Sequence, residues 1–300
     1  MSNPLDTAQH CGYVAIVGRP NVGKSTLLNH ILKQKISITS RKPQTTRNNL
    51  IGVDTQGAMQ AVYVDTPGIH RETAKALNRY MVASATSVLR DMDVVVLVVE
   101  AGRMTPQDNH VMQMLEQQNK PCFAALSKVD LLQQKEDLLP QIQRLSETGN
   151  FSEILPLSAL RNEGVEEFRR EVFARLPEGP HLFADDEVTD QSERFLVSEI
   201  VREKLMRQLG DEIPHSVAVS IESFEQRETI TEIHADIVVE REGQKRIVIG
   251  NKGQRLKLVG QAARLDIEQM LETKVMLHLW VKVRKGWTNS AHHLRSLGYS

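Results

Sequence analysis

Gly18-Arg19-Pro20-Asn21-Val22-Gly23-Lys24-Ser25-Thr26 directly follows the apolar run Tyr13-Val14-Ala15-Ile16-Val17. With Leu27, Leu28, Ile31 and Leu32 at helical spacing after it, the stretch reads as strand, phosphate-binding loop and helix, in the form G-x-x-x-x-G-K-[ST]. Gly18 and Gly23 leave room for backbone N–H groups to face phosphate oxygens, and Lys24 adds a point charge at the β- and γ-phosphates. Ser25 offers a hydroxyl to Mg²⁺ and, with Thr26, opens a helix whose N-terminal dipole favours an anion.

The rest of the first half repeats the alternation. Strand-like apolar runs fall at 14–17, 61–64, 94–99, 122–126 and 154–157, with amphipathic helical patterns at 108–117, 138–147 and 165–176. Continuous apolar strands between helices imply an α/β, P-loop NTPase-like layer structure: a mostly parallel sheet with helices on both faces. Ligands of such sheets sit at the carboxyl ends of the strands. The chain has 300 residues, enough for about two domains. Residues 177–192 are punctuated by Pro177, Gly179 and Pro180 and then turn acidic, which reads as a linker. Beyond it come a helix at 195–209, strands at 217–223 and 230–239, a short strand at 246–249, a glycine-flanked loop, a long helix to about 272 and a strand at 275–283. The expected organisation is a nucleotide domain at 1–178, a linker at 179–193 and a smaller α+β domain at 194–300.

With 40% hydrophobic and 25% charged residues and a net charge of −1, the composition is that of a soluble globular protein without a strong overall electrostatic address. The charge is uneven: −4 over residues 1–193 and +3 over 194–300, so a polyanion is better accommodated by the C-terminal part. Cys11 and Cys122 have no metal-type spacing; they fit a reduced compartment and read as small apolar residues near strands. No basic-then-apolar leader opens the chain, and the run at 94–99 is far short of the ~20 residues a membrane helix needs.

Three further loops fall where a nucleotide needs them. Asp65-Thr66-Pro67-Gly68 follows the second strand run, so Asp65 can hold Mg²⁺ through water and Gly68 can offer its N–H to a γ-phosphate. Ser127-Lys128-Val129-Asp130 follows another strand. The Asp130 carboxylate can accept from both N1–H and N2–H₂ of guanine, a donor pair adenine lacks, while the Lys128 stem packs along the base. In Ser158-Ala159-Leu160 small residues let a backbone N–H approach the guanine O6. In the second half, Gly250-Asn251-Lys252-Gly253 matches the GXXG loop of KH domains, which clamps about four nucleotides through their backbone. Arg255 and Lys257 add charge just after it. Of the two tryptophans, Trp280 lies inside an apolar strand and reads as core, Trp287 as the surface candidate for base stacking, and His292 and His293 as exposed helix residues.

Together the loops resemble the guanine-nucleotide sites of translation-factor-related GTPases. The resemblance makes Gln44-Thr45-Thr46-Arg47 the switch I element, with Thr46 favoured over Thr45 as the residue that closes on Mg²⁺ and the γ-phosphate. Two positions depart from that pattern. Ser127 stands where the base-reading loop normally begins with Asn, so weaker bracing of neighbouring loops and looser nucleotide binding are expected. Ile69 stands where Ras-like enzymes place a water-orienting Gln, so unaided hydrolysis should be slow. Asn21 is then a candidate to hold a K⁺ beside the phosphates, and Lys24, Asn21 and Thr46 are the expected catalytic set. A single such domain followed by a type II KH domain resembles the Era family across nearly the whole chain, through residues 18–26, 42–47, 64–69, 202–205, 239–253 and 280–283. The resemblance implies a slow, monomeric GTPase using GTP/GDP and Mg²⁺. It implies binding near the 3′ end of 16S rRNA and assembly of the 30S ribosomal subunit in a bacterial cytoplasm, with some peripheral inner-membrane association. The alternatives weighed against it are a nucleotide-regulated signalling or membrane-interaction GTPase whose KH-like part binds protein, and an ATPase or small-molecule kinase.

Overall fold

The computed structural model describes residues 8–40, 42, 44–69, 75–116, 120–148, 151–210 and 216–299. Pro43, inside the family-like stretch 42–47, and Gln117, at the end of a predicted helix, lie outside the described residues. The chain forms two compact units whose memberships interleave. The first holds Met1–Ser37, Thr46–Glu72 and Met81–Asp190; the second holds Ile38–Thr45, Thr73–Tyr80 and Gln191–Ser300.

The first unit is built on strands β1 (His10–Val17), β2 (Leu50–Gln56), β3 (Met59–Asp65), β4 (Val94–Glu100), β5 (Cys122–Ser127) and β6 (Ile154–Pro156). Their order across the sheet is β2-β3-β1-β4-β5-β6, parallel throughout except for the β2–β3 hairpin. Val14–Val17 and Val94–Val99 are almost wholly buried, which is why they read as unbroken apolar runs: helices cover both faces. Those helices are α1 (Lys24–Leu32), α2 (Ala76–Val88, whose first turn clusters with the second unit), α3 (Pro106–Glu116), α4 (Leu139–Thr148) and α5 (Val165–Phe173). The buried Arg169 guanidinium of α5 holds the Asp54 carboxylate of the edge strand β2 through two hydrogen bonds of 2.6 and 2.9 Å. β2 has no counterpart among the sequence expectations. Its Gly, Asp, Thr and Gln dilute the apolar alternation, and pairing with β3 stabilises it instead.

Residues read as a linker are bonded to the first unit. Pro177 O accepts from Cys11 N, Val188 O accepts from Val53 N, and Gln60 bonds the main chain at Leu182 and Phe183. The first unit therefore runs through Asp190, not 178.

The second unit contains α6 (Glu193–Gln208), β7 (Ala218–Gln226), β8 (Ile230–Val239), α7 (Glu242–Ile249), α8 (Gln254–Leu271), β9 (Lys274–Val283) and α9 (Ala291–Ser296). β8 pairs antiparallel with β7 and parallel with β9. Ile233, Ala235 and Ile237 face a core shared with Val197, Val201 and Leu205 of α6 and Val259, Ala263 and Ile267 of α8. The period-2 pattern of β8 puts Glu232 and His234 on the other face.

Two sequence readings fail here. The 246–249 stretch is the end of α7, not a strand. Gln244 caps the helix by accepting from the N–H groups of Glu240 and Arg241, and Val248 is its buried contact. The tryptophans also exchange places. Trp280 is 62% exposed on the outer sheet face, while Trp287 is fully buried with Leu77, Ala218, Val238 and Leu294, its Nε1 donating to Ser216 O at 3.3 Å. No helix among the described residues is long and apolar enough to cross a membrane.

Candidate functional site

In the first unit the phosphate loop joins β1 to α1 at the point where the strand order reverses, the crevice that ligands occupy in open α/β sheets. Gly23 is the N-cap of α1 in the left-handed region (φ 109°) and gives no side-chain cap, so the first helical N–H groups remain for an anion. The Lys24 ammonium is buried and donates to the carbonyls of Gly18 and Arg19, each at 3.1 Å. Burial pushes its pKa down to about 8; Asp65 opposes that shift and Arg19 adds to it.

Ser25, Thr46 and Asp65, three separate segments of sequence, converge. Ser25 Oγ donates to Asp65 Oδ2 at 2.6 Å and lies 2.9 Å from Thr46 Oγ1, which lies 3.5 Å from the same carboxylate oxygen. Ser37 Oγ, absent from the sequence expectations, donates there too at 3.0 Å. Thr45 Oγ1 instead bonds Ser40 Oγ and Lys42 O, so only Thr46 reaches this group. Burial raises the Asp65 pKa against the pull of Lys24 and the three hydroxyls, and Asp65 Oδ1 is buried with no partner. Hard oxygen donors around a desolvated carboxylate with an orphaned oxygen suit Mg²⁺.

The base-reading side is equally assembled. Ser158 Oγ donates to Asp130 Oδ1 at 2.6 Å, fixing the carboxylate. Ser158 N–H is taken by Glu163 O at 2.9 Å. Lys128 Nζ donates to Asn21 O at 2.7 Å and ties this loop to the phosphate loop. Ser127, expected to brace its neighbours less than an asparagine, is itself bonded here. Its buried hydroxyl lies 2.5 Å from Val22 O and 3.1 Å from Val99 O, so it still braces the phosphate loop against β4. Gly68 lies against Pro20, where an added Cβ would come within 2.7 Å, and buried Ile69 donates its N–H to Gly18 O. Sequence reasoning missed Arg19, which bonds Asp108 Oδ2 at 3.1 Å and Glu100 Oε2 at 2.6 Å. Although burial opposes ionisation of Glu100, Arg19 and Lys128 hold its carboxyl below the usual range. No local pattern signals this network, because its members lie on four different segments.

Lys24 gives the site a pH signature. Phosphate binds the ammonium form, and a bound anion raises its pKa. In the free protein half of Lys24 has lost its proton at pH about 8, whereas the bound anion holds the proton to higher pH. Nucleotide affinity should fall with rising pH, by up to about tenfold per unit, with proton uptake on binding. Titration calorimetry in buffers of different ionisation enthalpy measures both; a flat profile from pH 7.5 to 9.5 contradicts it.

In the second unit Gly250, Asn251, Lys252 and Gly253 link the C-terminus of α7 to the N-terminus of α8. Asn251, Lys252 and Lys257 are exposed, whereas Arg255 Nη1 folds back onto Ile247 O at 2.7 Å. Exposed Ile247 and Leu258 flank the loop, while Val259 turns into the core.

A family model described as 50S ribosome-binding GTPase matches residues 13–128, and a KH domain model matches residues 212–288. The chain is 54% identical to the GTPase Era of Ectopseudomonas mendocina over 289 residues, covering 96% of this chain and 97% of the relative. It is 52% identical to that of Pseudomonas aeruginosa over 299 residues, covering 100% and 98%. Among solved structures, Era of Aquifex aeolicus bound to GDP·AlF4⁻ superposes with a TM-score of 0.94 at 38% identity, covering 97% of this chain and all of that one. Era in complex with MgGDPNP and nucleotides 1506–1542 of 16S ribosomal RNA gives the same TM-score and identity, covering 97% and 99%.

Proposed function

Because the chain belongs to the Era family of GTPases, and so is a GTP hydrolase carrying a C-terminal KH domain, we propose that its nucleotide state governs its grip on the 3′ region of 16S rRNA during assembly of the 30S subunit. In this reading Lys24 and the N–H groups at the start of α1 hold the phosphates. Ser25 and Thr46 ligate Mg²⁺, with Asp65 acting through water. Bound there, Mg²⁺ would supply charge neutralisation at the phosphates. Gly68 donates to the γ-phosphate, and Asp130, Lys128 and Ala159 read guanine. Asn21 beside the phosphates holds a K⁺ that offsets the missing glutamine at Ile69; equal turnover in Na⁺ and K⁺ buffers counts against that assignment. The Gly250–Gly253 loop, with Lys252 and Lys257, takes the RNA backbone. The protein works as a cytoplasmic monomer, and any inner-membrane contact is peripheral.

The observation that carries the RNA reading is the likeness, over 97% of this chain, to an Era bound to MgGDPNP and a 16S rRNA fragment. Crosslinking total RNA to the protein with a non-hydrolysable GTP analogue and with GDP, then sequencing the fragments, tests it. Enrichment of the 16S 3′ region with the GTP analogue is expected. Identical recovery with both nucleotides, or no ribosomal enrichment, overturns it.

A further inference from the structure

The outer face of the second unit's sheet carries two histidines and a glutamate that the nucleotide and RNA readings do not use. His234 of β8 and His278 of β9 are direct partners in the parallel register, and Glu232 lies two residues before His234 on the same face of β8. The imidazole rings stack with centroids 4.5 Å apart. Glu232 Oε1 lies 3.3 Å from His234 Nε2 and 3.6 Å from His278 Nε2, and one ligand atom from each residue lies within 4.8 Å of the others. His278 Nε2 is shielded from solvent yet has no hydrogen-bond partner. The second carboxylate oxygen, Oε2, is held by Arg227 at 2.8 Å, which fixes the carboxylate and leaves Oε1 toward the rings.

We propose that Glu232, His234 and His278 form a binding site for a divalent transition-metal ion of the Zn²⁺ class. Two imidazole nitrogens and one carboxylate oxygen are the donor set that such ions prefer over Mg²⁺ or Ca²⁺. Bonds of about 2.0–2.1 Å put tetrahedral ligands about 3.4 Å apart, close to both glutamate–histidine distances. The histidine nitrogens lie within 4.8 Å of each other, and rotation of the two half-buried rings closes the pair. A neutral imidazole binds an ion through the nitrogen that carries no proton, so a ring nitrogen that turns to the ion keeps its proton on the other ring nitrogen. Three protein ligands leave a fourth position for water. Arg227 becomes the outer partner that orients the ligating carboxylate.

The test is titration calorimetry with ZnCl₂ on the full chain saturated with GDP and excess Mg²⁺, which keeps the nucleotide site occupied. One saturable equivalent is expected. It should disappear in the His234→Gln/His278→Gln double variant, weaken about tenfold or more in Arg227→Ala, and persist in His292→Gln/His293→Gln. A second readout needs no variant: Trp280 lies two residues along the same strand face from His278, so Cu²⁺, the tighter binder at such donors, should quench the exposed tryptophan emission, and prior loading with excess Zn²⁺ should raise the Cu²⁺ concentration needed; no quenching by Cu²⁺ counts against the site. An unchanged thermal melt and unchanged GDP binding show that the double variant folds. Retention of the equivalent in that variant, its loss in the His292/His293 variant, or no saturable binding in the wild type overturns the proposal.

Discussion

Gly253→Asp is expected to weaken RNA binding by about a hundredfold or more, the equivalent of about 2.7 kcal/mol, while GTP hydrolysis in the absence of RNA stays unchanged. Gly253 has φ +78°, and an added Cβ there meets nothing within 4 Å, so the new side chain fits the fold at the cost of a left-handed aspartate, about 1 kcal/mol. It then occupies the space through which a GXXG loop lets a phosphate backbone approach, and it adds a negative charge. Gly250 is a poorer choice, because a Cβ there would stand 2.7 Å from the Cβ of Arg255 and force the loop to move. Lys252→Asp is the companion: exposed, already left-handed, and reversing the charge without new crowding. Electrophoretic mobility shift with a 16S 3′-end fragment, beside phosphate release, measures both. Full RNA affinity in both variants removes this loop from the RNA site.

Arg202→Lys is expected to uncouple RNA binding from the nucleotide. The Arg202 side chain is almost wholly buried on α6 and donates to two consecutive main-chain carbonyls, Gln44 O at 3.4 Å and Thr45 O at 2.5 Å, while pairing with Glu199. Nearby, Glu203 accepts from Thr39 N at 2.9 Å, Arg207 donates to Thr39 O, and Lys42 donates to Leu209 O. The stretch Ile38–Thr45 is thus laced to α6 and belongs to the second unit, while the next residue, Thr46, belongs to the first and sits with Ser25 and Asp65. One peptide bond separates the two grips. Under the proposed function, in which Thr46 closes on the γ-phosphate, the pull is expected to reach the Arg202 fork. Coupling of this kind is worth about 1–3 kcal/mol, a 5–150-fold preference for RNA in one nucleotide state, and it should fall toward one in the variant. Lysine keeps a charge for Glu199 but cannot span both carbonyls, so a stability loss of about 1–3 kcal/mol is also expected. RNA affinity measured with GDP and with a GTP analogue decides it; a variant that keeps the full preference shows that the fork carries no coupling.

The nucleotide loops were legible because each has a local form, glycines, a lysine or an aspartate at the end of an apolar run, and their order along the chain sets their place on the sheet. Ser25, Thr46 and Asp65 meet, although for Thr46 it is the resemblance of 44–47 to a switch element, not spacing, that singles the residue out. What stayed hidden depends on partners remote in sequence. Arg19, Glu100 and Asp108 look like ordinary surface charges until β1, β4 and α3 are brought together. The apolar end of α7 is too short for period alone to separate helix from strand, and its cap at Gln244 decides. Trp280 and Trp287 were misplaced because strand alternation does not say which face is covered; the C-terminal segment around α9 covers one end of the outer face and leaves the other bare. The 177–192 stretch has a linker's composition, yet its backbone groups find acceptors and donors on β1 and β2.

Gly23 before α1 and Gly253 before α8 are both left-handed caps without a side-chain acceptor. Most helices quench their first N–H groups with a serine, threonine or aspartate of their own; these two leave them to water or to a guest. Gly164 before α5 is a third such cap, and under the proposed function two of the three face a guest, a triphosphate at α1 and a polynucleotide at α8. On that reading the guest would complete a helix that the polypeptide begins unfinished, and filling either site is expected to stiffen the first turn behind it.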